Sequence, residues 1–544
     1  MTAKIRTRAL LMDALRLAAE LEHGLMCQYL FAAYTIRRYP YECFDYTWNR
    51  RKKTWEKTRV LTDAELERVR RWAMKVTLIA RQEMEHLGLA LNLLSSIGGT
   101  PSFSRPNMPQ KDDYYGAADI KLTLTTCNLD TIKRFQIFEK PEEIDDVEDK
   151  KQIDEWCRRA RTAGPPPAPE PEEATPLLMG GAPHIDQYGV PFADVQQLYT
   201  EIEQGFIFLT KSLGECELFI GSQGNQVYGG PPSPLYGSMN DLNQYGLSLI
   251  PVTDLKSARQ AIRMIIEQGE GAKAPPSYRP NAHFCLFSEI RAEMEEDKQK
   301  LAKVGARNVV ANPLTRWQPD ITAPRREFTL IENPDTLRVA ELFNQCYEVM
   351  LLLLLYLYSD QVKTEEQTNS LMDAAFFPFM TMFVRPLAEI LTELPANDPY
   401  DLSKMAGPGF ELAGDVVLFP NIQQTWTLFQ ERIDALVAGF RAVTARGPIA
   451  PPKNDPHLVR WAPRHDPWRD LPSQSEEYVV KQRQELWERV KAEGVTFHPE
   501  EGRGREREEF LPSLAWLRLY YLRQNMERLA LNWKDNWMNV GRTA

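Results

Sequence analysis

With 65 Lys and Arg against 75 Asp and Glu in 544 residues, the chain carries a formal net charge of −10, which argues against nucleic-acid binding, since that needs a concentrated basic surface. Hydrophobic residues at 43% and charged residues at 26% fit a soluble globular chain with material for a sizeable core. The seven cysteines are odd in number, scattered and never in a CxxC pair, which argues against a disulfide frame or a thiolate zinc site. With a charged N-terminus that has no signal-peptide pattern, a cytoplasmic protein is expected.

The first predicted element is one long helix over Ile5 to Arg38, with Leu11, Leu15, Ala18, Leu25, Tyr29 and Ala33 near the 3.6-residue period. An aromatic and basic loop follows, its run Arg50-Arg51-Lys52-Lys53 read as solvated. Thr62-Asp63-Ala64-Glu65 has the form of a capping box and opens a helix that runs to about Ile97 and stops at Gly98-Gly99. After a loop over 100–115, a helical stretch from Ile120 to Phe138 leads into an acidic run ending near Lys151. Thr162 to Pro183 is proline-rich and reads as a flexible excursion. Helical pattern resumes from Pro191 to about Cys216, and again over 254–268, where Gly269-Glu270-Gly271 breaks it; the next helix starts near Ala282 and runs through Lys300. Asp335 to Tyr358, Thr364 to Leu394 and Phe419 to Ala445 are further helical patterns, and the last hundred residues alternate Pro-rich loop with charged helix. The longest apolar run, Val349 to Tyr358, falls short of the roughly 20 residues that span a bilayer, so it is read as a buried core helix with no membrane role. No sustained strand alternation is present, and the expected class is all-α.

One internal repeat carries the chemistry. Glu20-Leu21-Glu22-His23-Gly24 in the first helix matches Glu201-Ile202-Glu203-Gln204-Gly205 in a later one. Each accepts a glycine inside a helix, where it costs about 1 kcal/mol relative to alanine, which suggests a close helix approach or room for something buried. The second helix then offers Glu83-x-x-His86, a carboxylate and an imidazole side by side on one face. The corresponding piece of the second half is stretched, with Glu270 or Glu267 on one side of a loop and His283 on the other. Glu22, Glu83, His86, Glu203, Glu270 and His283 then give four carboxylates and two histidines, the di-metal constellation of four-helix bundles, with Glu201 a rival to Glu203. Such oxygen and nitrogen donors suit iron, two ions being expected, with manganese as the alternative. Two redox metals so held bind dioxygen or peroxide and take electrons from a small-molecule substrate.

Other residues receive plainer readings. Tyr29 and Tyr199 are expected as core aromatics, Cys27 and Cys216 as packed small hydrophobes, and Glu20, Glu85 and Glu201 as surface partners of the ligands. His23, about 100° round the helix from Glu22, is given a surface or supporting role. His184, His457, His465 and His498 form no cluster, and no phosphate-binding loop, GxSxG elbow or dinucleotide fingerprint is present.

The run Glu22-His23-Gly24-Leu25-Met26-Cys27-Gln28-Tyr29-Leu30, with Glu83-x-x-His86-Leu87 after it, resembles the ferritin-like domain of the iminophenyl-pyruvate dimer synthase family. Supporting pieces are Leu198-Tyr199-x-x-Ile202, Gln268-Gly269-Glu270-Gly271 before His283-Phe284, Phe343-Asn344, Arg385-Pro386-Leu387 and Ala406-Gly407-Pro408-Gly409-Phe410-Glu411; the likeness covers roughly residues 6 to 440. That family includes the violacein and chromopyrrolic-acid pathway enzymes of bacterial pigment biosynthesis. The resemblance implies a ferritin-like four-helix bundle core with additional C-terminal helices and long loops, and an oxidative enzyme coupling imines made from aromatic amino acids. The expected organisation is a metal-site bundle over 1–300 with a Pro-rich insertion at about 158–190, a helical segment packed on it over 301–445, and a charged, Pro-rich extension over 446–544. A ferritin-like oxygenase, halogenase or desaturase is the rival within enzymes, and a non-catalytic metal-binding protein the rival outside them. A homo-oligomer or a biosynthetic partner enzyme completes the expected partners.

Overall fold

The computed structural model describes residues 4–162, 192–228, 249–269, 282–359, 375–445 and 513–534, leaving out a few residues within those spans. The first two helices, α1 (Arg8–Thr35) and α2 (Asp63–Ser96), pack along each other. They run antiparallel, because Arg8 reaches the Ile97 carbonyl at one end and Arg70 the Arg38 carbonyl at the other. Thr7 caps α1 by accepting from the Leu10 N–H, which starts the helix three residues after the predicted Ile5. Thr62 and Glu65 cap α2 reciprocally, as their spacing predicts, and Gly98 takes a φ of +82° just past its end. The aromatic and basic segment between the helices is an antiparallel hairpin, β1 (Phe44–Asn49) and β2 (Thr54–Arg59). In β1 Phe44, Tyr46 and Trp48 alternate with Asp45, Thr47 and Asn49, a short period-two run that favours a pleated ribbon over the predicted loop.

Two further lines of helix complete the bundle, and both are split. The third consists of α3 (Leu129–Phe138) and, beyond an insertion that contains α4 (Lys150–Thr162), α5 (Val195–Leu213). A single turn, α6 (Glu215–Leu218), follows. The fourth line consists of α7 (Leu255–Gln268) and α8 (His283–Glu296). Followed from its N-terminus, α1 meets Gly205 near Leu11, then Tyr199 at Glu22, Phe135 at Tyr29 and Cys127 at Thr35. Partner numbers fall steadily, so α3 and α5 together make one antiparallel line. Likewise α2 meets Glu293 at Trp72, His283 at Glu83 and Gln268 at His86. α3 packs on α8 and α5 on α7, so the ring of four closes with both of its split helices interrupted at one level. Asn128, accepting from the Thr131 N–H, caps α3 and confines the predicted Ile120–Phe138 helix to its second half. The repeated glycines admit side chains rather than a helix backbone: a Cβ on Gly24 would meet Leu122 Cδ1 at 2.1 Å, and one on Gly205 would meet Ile5 at 2.8 Å.

The short α9 (Lys300–Val304) leads to a second helical layer, made of α10 (Pro334–Leu357), a π-helical segment (Ala375–Val384), α11 (Arg385–Leu391), α12 (Ile422–Thr444) and α13 (Ser513–Asn532). α10 is long and apolar enough to cross a bilayer by composition, and 72% of that stretch is buried inside the protein. α13 buries Trp516, Leu517 and Tyr520, and its Arg518 joins a network with Glu393, Glu389, Arg385 and Arg38 at the C-terminal end of α1.

One expectation from cysteine spacing is overturned: Cys157 of α4 and Cys285 of α8 form a disulfide. They lie 128 positions apart, so no spacing motif announces them; they meet because Ile144, Ile153 and Trp156 pack on Ala282 and Phe284. The other five cysteines are free, Cys216 being exposed rather than packed. Thiol titration of the denatured, unreduced protein is therefore expected to count five thiols, and seven after reduction. Seven without reduction would remove the bond.

Candidate metal centre

Where the two lines are split, five ionisable side chains converge. α1 supplies Glu22, α2 supplies Glu83 and His86, the residue after α3 is Glu139, and the first residue of α8 is His283; none is more than 2% exposed. They form two triads, Glu22–Glu83–His86 and Glu83–Glu139–His283, in each of which one ligand atom per residue lies within 4.8 Å of the others. Glu83 belongs to both. Its Oε2 is 3.3 Å from His86 Nδ1 and its Oε1 is 2.9 Å from His283 Nδ1. Glu22 Oε2 stands 3.6 Å from His86 Nδ1, and Glu139 Oε2 stands 3.3 Å from His283 Nδ1. The two imidazole rings are 5.5 Å apart.

Each imidazole is oriented in the same way. His86 Nε2–H donates to Gln268 Oε1 at 3.0 Å, and His283 Nε2–H donates to Gln82 Oε1 at 3.2 Å. Holding the proton on Nε2 leaves each Nδ1 lone pair for the carboxylate side, the arrangement by which proteins fix a ligating histidine. The carboxylates are anchored too. Tyr199 donates to Glu22 Oε1 at 2.7 Å, and Tyr29 donates to Glu139 Oε1 at 2.5 Å. Both tyrosines are buried aromatics, as predicted, but their hydroxyls have this further task.

Burial and mutual charge shape the protonation of the group. Burial, with the Glu83 charge adding to it, raises Glu22 to about 8. Burial opposes the charged form of His283, but Glu139 and Glu83 outweigh it and raise the ring to about 9. His86 is likewise raised well above the usual histidine value, Glu83 outweighing burial. Glu83 is held below the usual carboxylate range, because the two imidazolium charges outweigh its burial.

The structure brings Glu22, Glu83, His86 and His283 together. Glu203 is not among them: its carboxylate takes Arg259 Nε at 2.7 Å. The reason is positional. α5 faces the cluster only with its first turn, Val195, Gln196 and Tyr199, and Glu203 lies another turn along. Glu201 pairs with Lys4 at 2.8 Å, and Glu267 is in neither triad. Glu270 lies outside the described residues, as do the insertion from 163 to 191, His184, His457, His465 and His498. Glu139 stands where a second-half carboxylate was sought, and Gln82 and Gln268 support the histidines; a search for ligand-type residues beside helix breaks is the signal that finds Glu139. Glu85 and Glu201 are buried rather than surface residues. His23 is buried as well, hydrogen-bonded through Nε2 to the Tyr347 hydroxyl, which also lies 3.2 Å from Cys27 Sγ.

The chain is similar in sequence to known proteins. Dichlorochromopyrrolate synthase of Lentzea aerocolonigenes is 26% identical over 426 residues, 75% of this chain and 36% of the relative. 2-Imino-3-(indol-3-yl)propanoate dimerase of Chromobacterium violaceum is 25% identical over 408 residues, 73% of this chain and 33% of the relative. The chain thus spans about a third of the length of these curated relatives, both biosynthetic enzymes by name. A ferritin-like protein of Caulobacter vibrioides, known from its crystal structure, aligns over 75% of this chain and 100% of its own at 14% identity and a TM-score of 0.34. A ferritin-like family model matches residues 15–292, half of the chain and all of the residues that form the two triads, and the chain belongs to the ferritin-like family.

Proposed function

We propose that this chain is a non-haem di-iron oxidoreductase of bacterial natural-product biosynthesis that acts on a small, amino-acid-derived imine. The observation that carries the metal reading is a pair of orphaned atoms. Glu83 Oε1 and His283 Nδ1 are buried and 2.9 Å apart, and with the His283 ring neutral and its proton on Nε2 neither atom has a donor to meet it. Two buried polar atoms that face each other without bonding suit a shared cation, since leaving them unmet costs about 1–3 kcal/mol each. Carboxylate oxygen and imidazole nitrogen are the donors that iron and manganese take.

In this reading Glu22, His86 and Glu83 would hold one ion and Glu139, His283 and Glu83 the other. The ions, when bound, supply one-electron steps and positions for dioxygen or peroxide. The chain's own residues do the rest. Tyr199 and Tyr29 hold the terminal carboxylates, Gln268 and Gln82 aim the imidazoles, and burial keeps bulk water from the group. The name of one curated relative, 2-imino-3-(indol-3-yl)propanoate dimerase, supports a substrate of the indole-imine type for this chain.

The test is direct. Protein reconstituted with ferrous iron is expected to retain about two ions per chain. Supplied with tryptophan, an amino-acid oxidase and air, it is expected to yield a coupled imine product by mass spectrometry. Protein that retains neither iron nor manganese overturns the reading, whereas retained metal without coupled product overturns the substrate and keeps the centre.

A further inference from the structure

The cavity against Glu22, Glu83, His86 and Glu139 is small, about 10 Å³, at the threshold for one water-sized molecule. Leu25, Val195, Ile265 and Ile266 form its apolar wall. Two polar side chains of α5 also face it. Tyr199 is committed to Glu22. Gln196, three residues earlier and on the same face, is 3% exposed, and its Oε1 has no hydrogen-bond partner. A buried carboxamide oxygen left unmet beside a cavity of this size marks a place where something else bonds.

We propose that the Gln196 carboxamide is the hydrogen-bonding contact for a water-sized exogenous ligand at the centre: dioxygen, peroxide or a small anion. The proposal rests on the metal reading above and adds to it the residue that meets the ligand. Either orientation of the amide serves. Oε1 accepts from a protonated ligand, and Nε2–H donates to an anionic one. Because the rest of the free wall among the described residues is hydrocarbon, Gln196 sets the ligand's orientation, and the dry surroundings strengthen the bond.

Sodium azide is the probe. Full-length protein loaded with ferric iron is titrated with azide and followed by the azide-to-metal charge-transfer band. Gln196→Leu is expected to keep the wild-type metal content, to weaken azide binding by about tenfold and to shift the band, one hydrogen bond being lost. Gln196→Asn, which withdraws the carboxamide by one methylene, is expected to do the same and decides the matter if the leucine variant does not fold. Unchanged azide affinity at wild-type metal content overturns the proposal and leaves the centre standing. Metal lost from the variants also overturns it, by making Gln196 part of the framework that holds the ions. A wild-type protein without bound metal overturns both readings.

Discussion

Replacing Glu83 by alanine is expected to empty the centre of both ions, whereas removal of any other carboxylate is expected to cost about one. The asymmetry follows from geometry. Glu83 alone belongs to both triads, one oxygen facing each imidazole. Glu22→Ala and Glu139→Ala each remove a carboxylate from one triad only. Glu203→Ala, which breaks an ion pair with Arg259, is expected to leave metal content unchanged. Inductively coupled plasma mass spectrometry on the four purified variants reads the pattern directly. A Glu83→Ala protein with the metal content of the wild type would defeat the shared-carboxylate arrangement, and a Glu203→Ala protein that loses metal would restore the assignment made from the repeat. Loss of Glu83 also removes the main counter-charge of the His86 ring and one of the two that face His283, so circular dichroism must accompany the metal analysis to separate misfolding from loss of affinity.

Which residues were legible follows from which helices are continuous. Glu22 lies in α1, and Glu83 and His86 in α2, helices that run unbroken past the centre; there a three-residue spacing means adjacency, and the sequence pattern can be read as geometry. The third and fourth lines are broken at the centre, and periodicity has no meaning across a break. Glu139 closes α3, and the same line resumes only at Val195, so no repeat alignment can connect them. The repeat around Glu203 is present in a helix of the bundle but sits past the point where α5 faces the cluster, about 6 Å of helix beyond Tyr199. His283 is legible as the histidine beyond the loop that stretches the second Glu-x-x-His, and α8 places it as its first residue. Capping chemistry was readable for the same reason as the ExxH pair: it is local. The disulfide and the hairpin were not, the first because it depends on contacts across 128 positions and the second because two short strands with a charged turn resemble a loop at the level of composition.

Metal binding is expected to release protons, and this fixes the sign of its pH dependence. Near neutrality the metal-free group holds three protons that a cation must displace: on His86, whose ring is raised well above its usual value, on His283, raised to about 9, and on Glu22, raised to about 8. Release of about three protons per filled centre is therefore expected at pH 7, with affinity climbing as pH rises through the raised values of Glu22 and His283. Calorimetry in buffers of different ionisation enthalpy counts those protons, and fewer than one would sink the argument. The same raised values make the metal-free fold sensitive to alkali. A group whose folded value lies above its unfolded one contributes stability that is complete below the unfolded value and is lost as pH rises through the folded one. For His283 the window runs from 6.5 to about 9, worth on the order of 3 kcal/mol; for Glu22 it runs from 4.5 to about 8. Glu83 acts in the opposite sense, its contribution being in place above 4.5 and lost only in acid. The thermal midpoint of the metal-free protein is thus expected to fall between pH 7 and pH 9, where the buried carboxylates lose their imidazolium partners and Glu22 gains a charge. Bound cations take over the role of those protons, so the metal-loaded protein is expected to hold its midpoint over the same range. Parallel midpoints for the two forms would show that no cation replaces protons in this cluster.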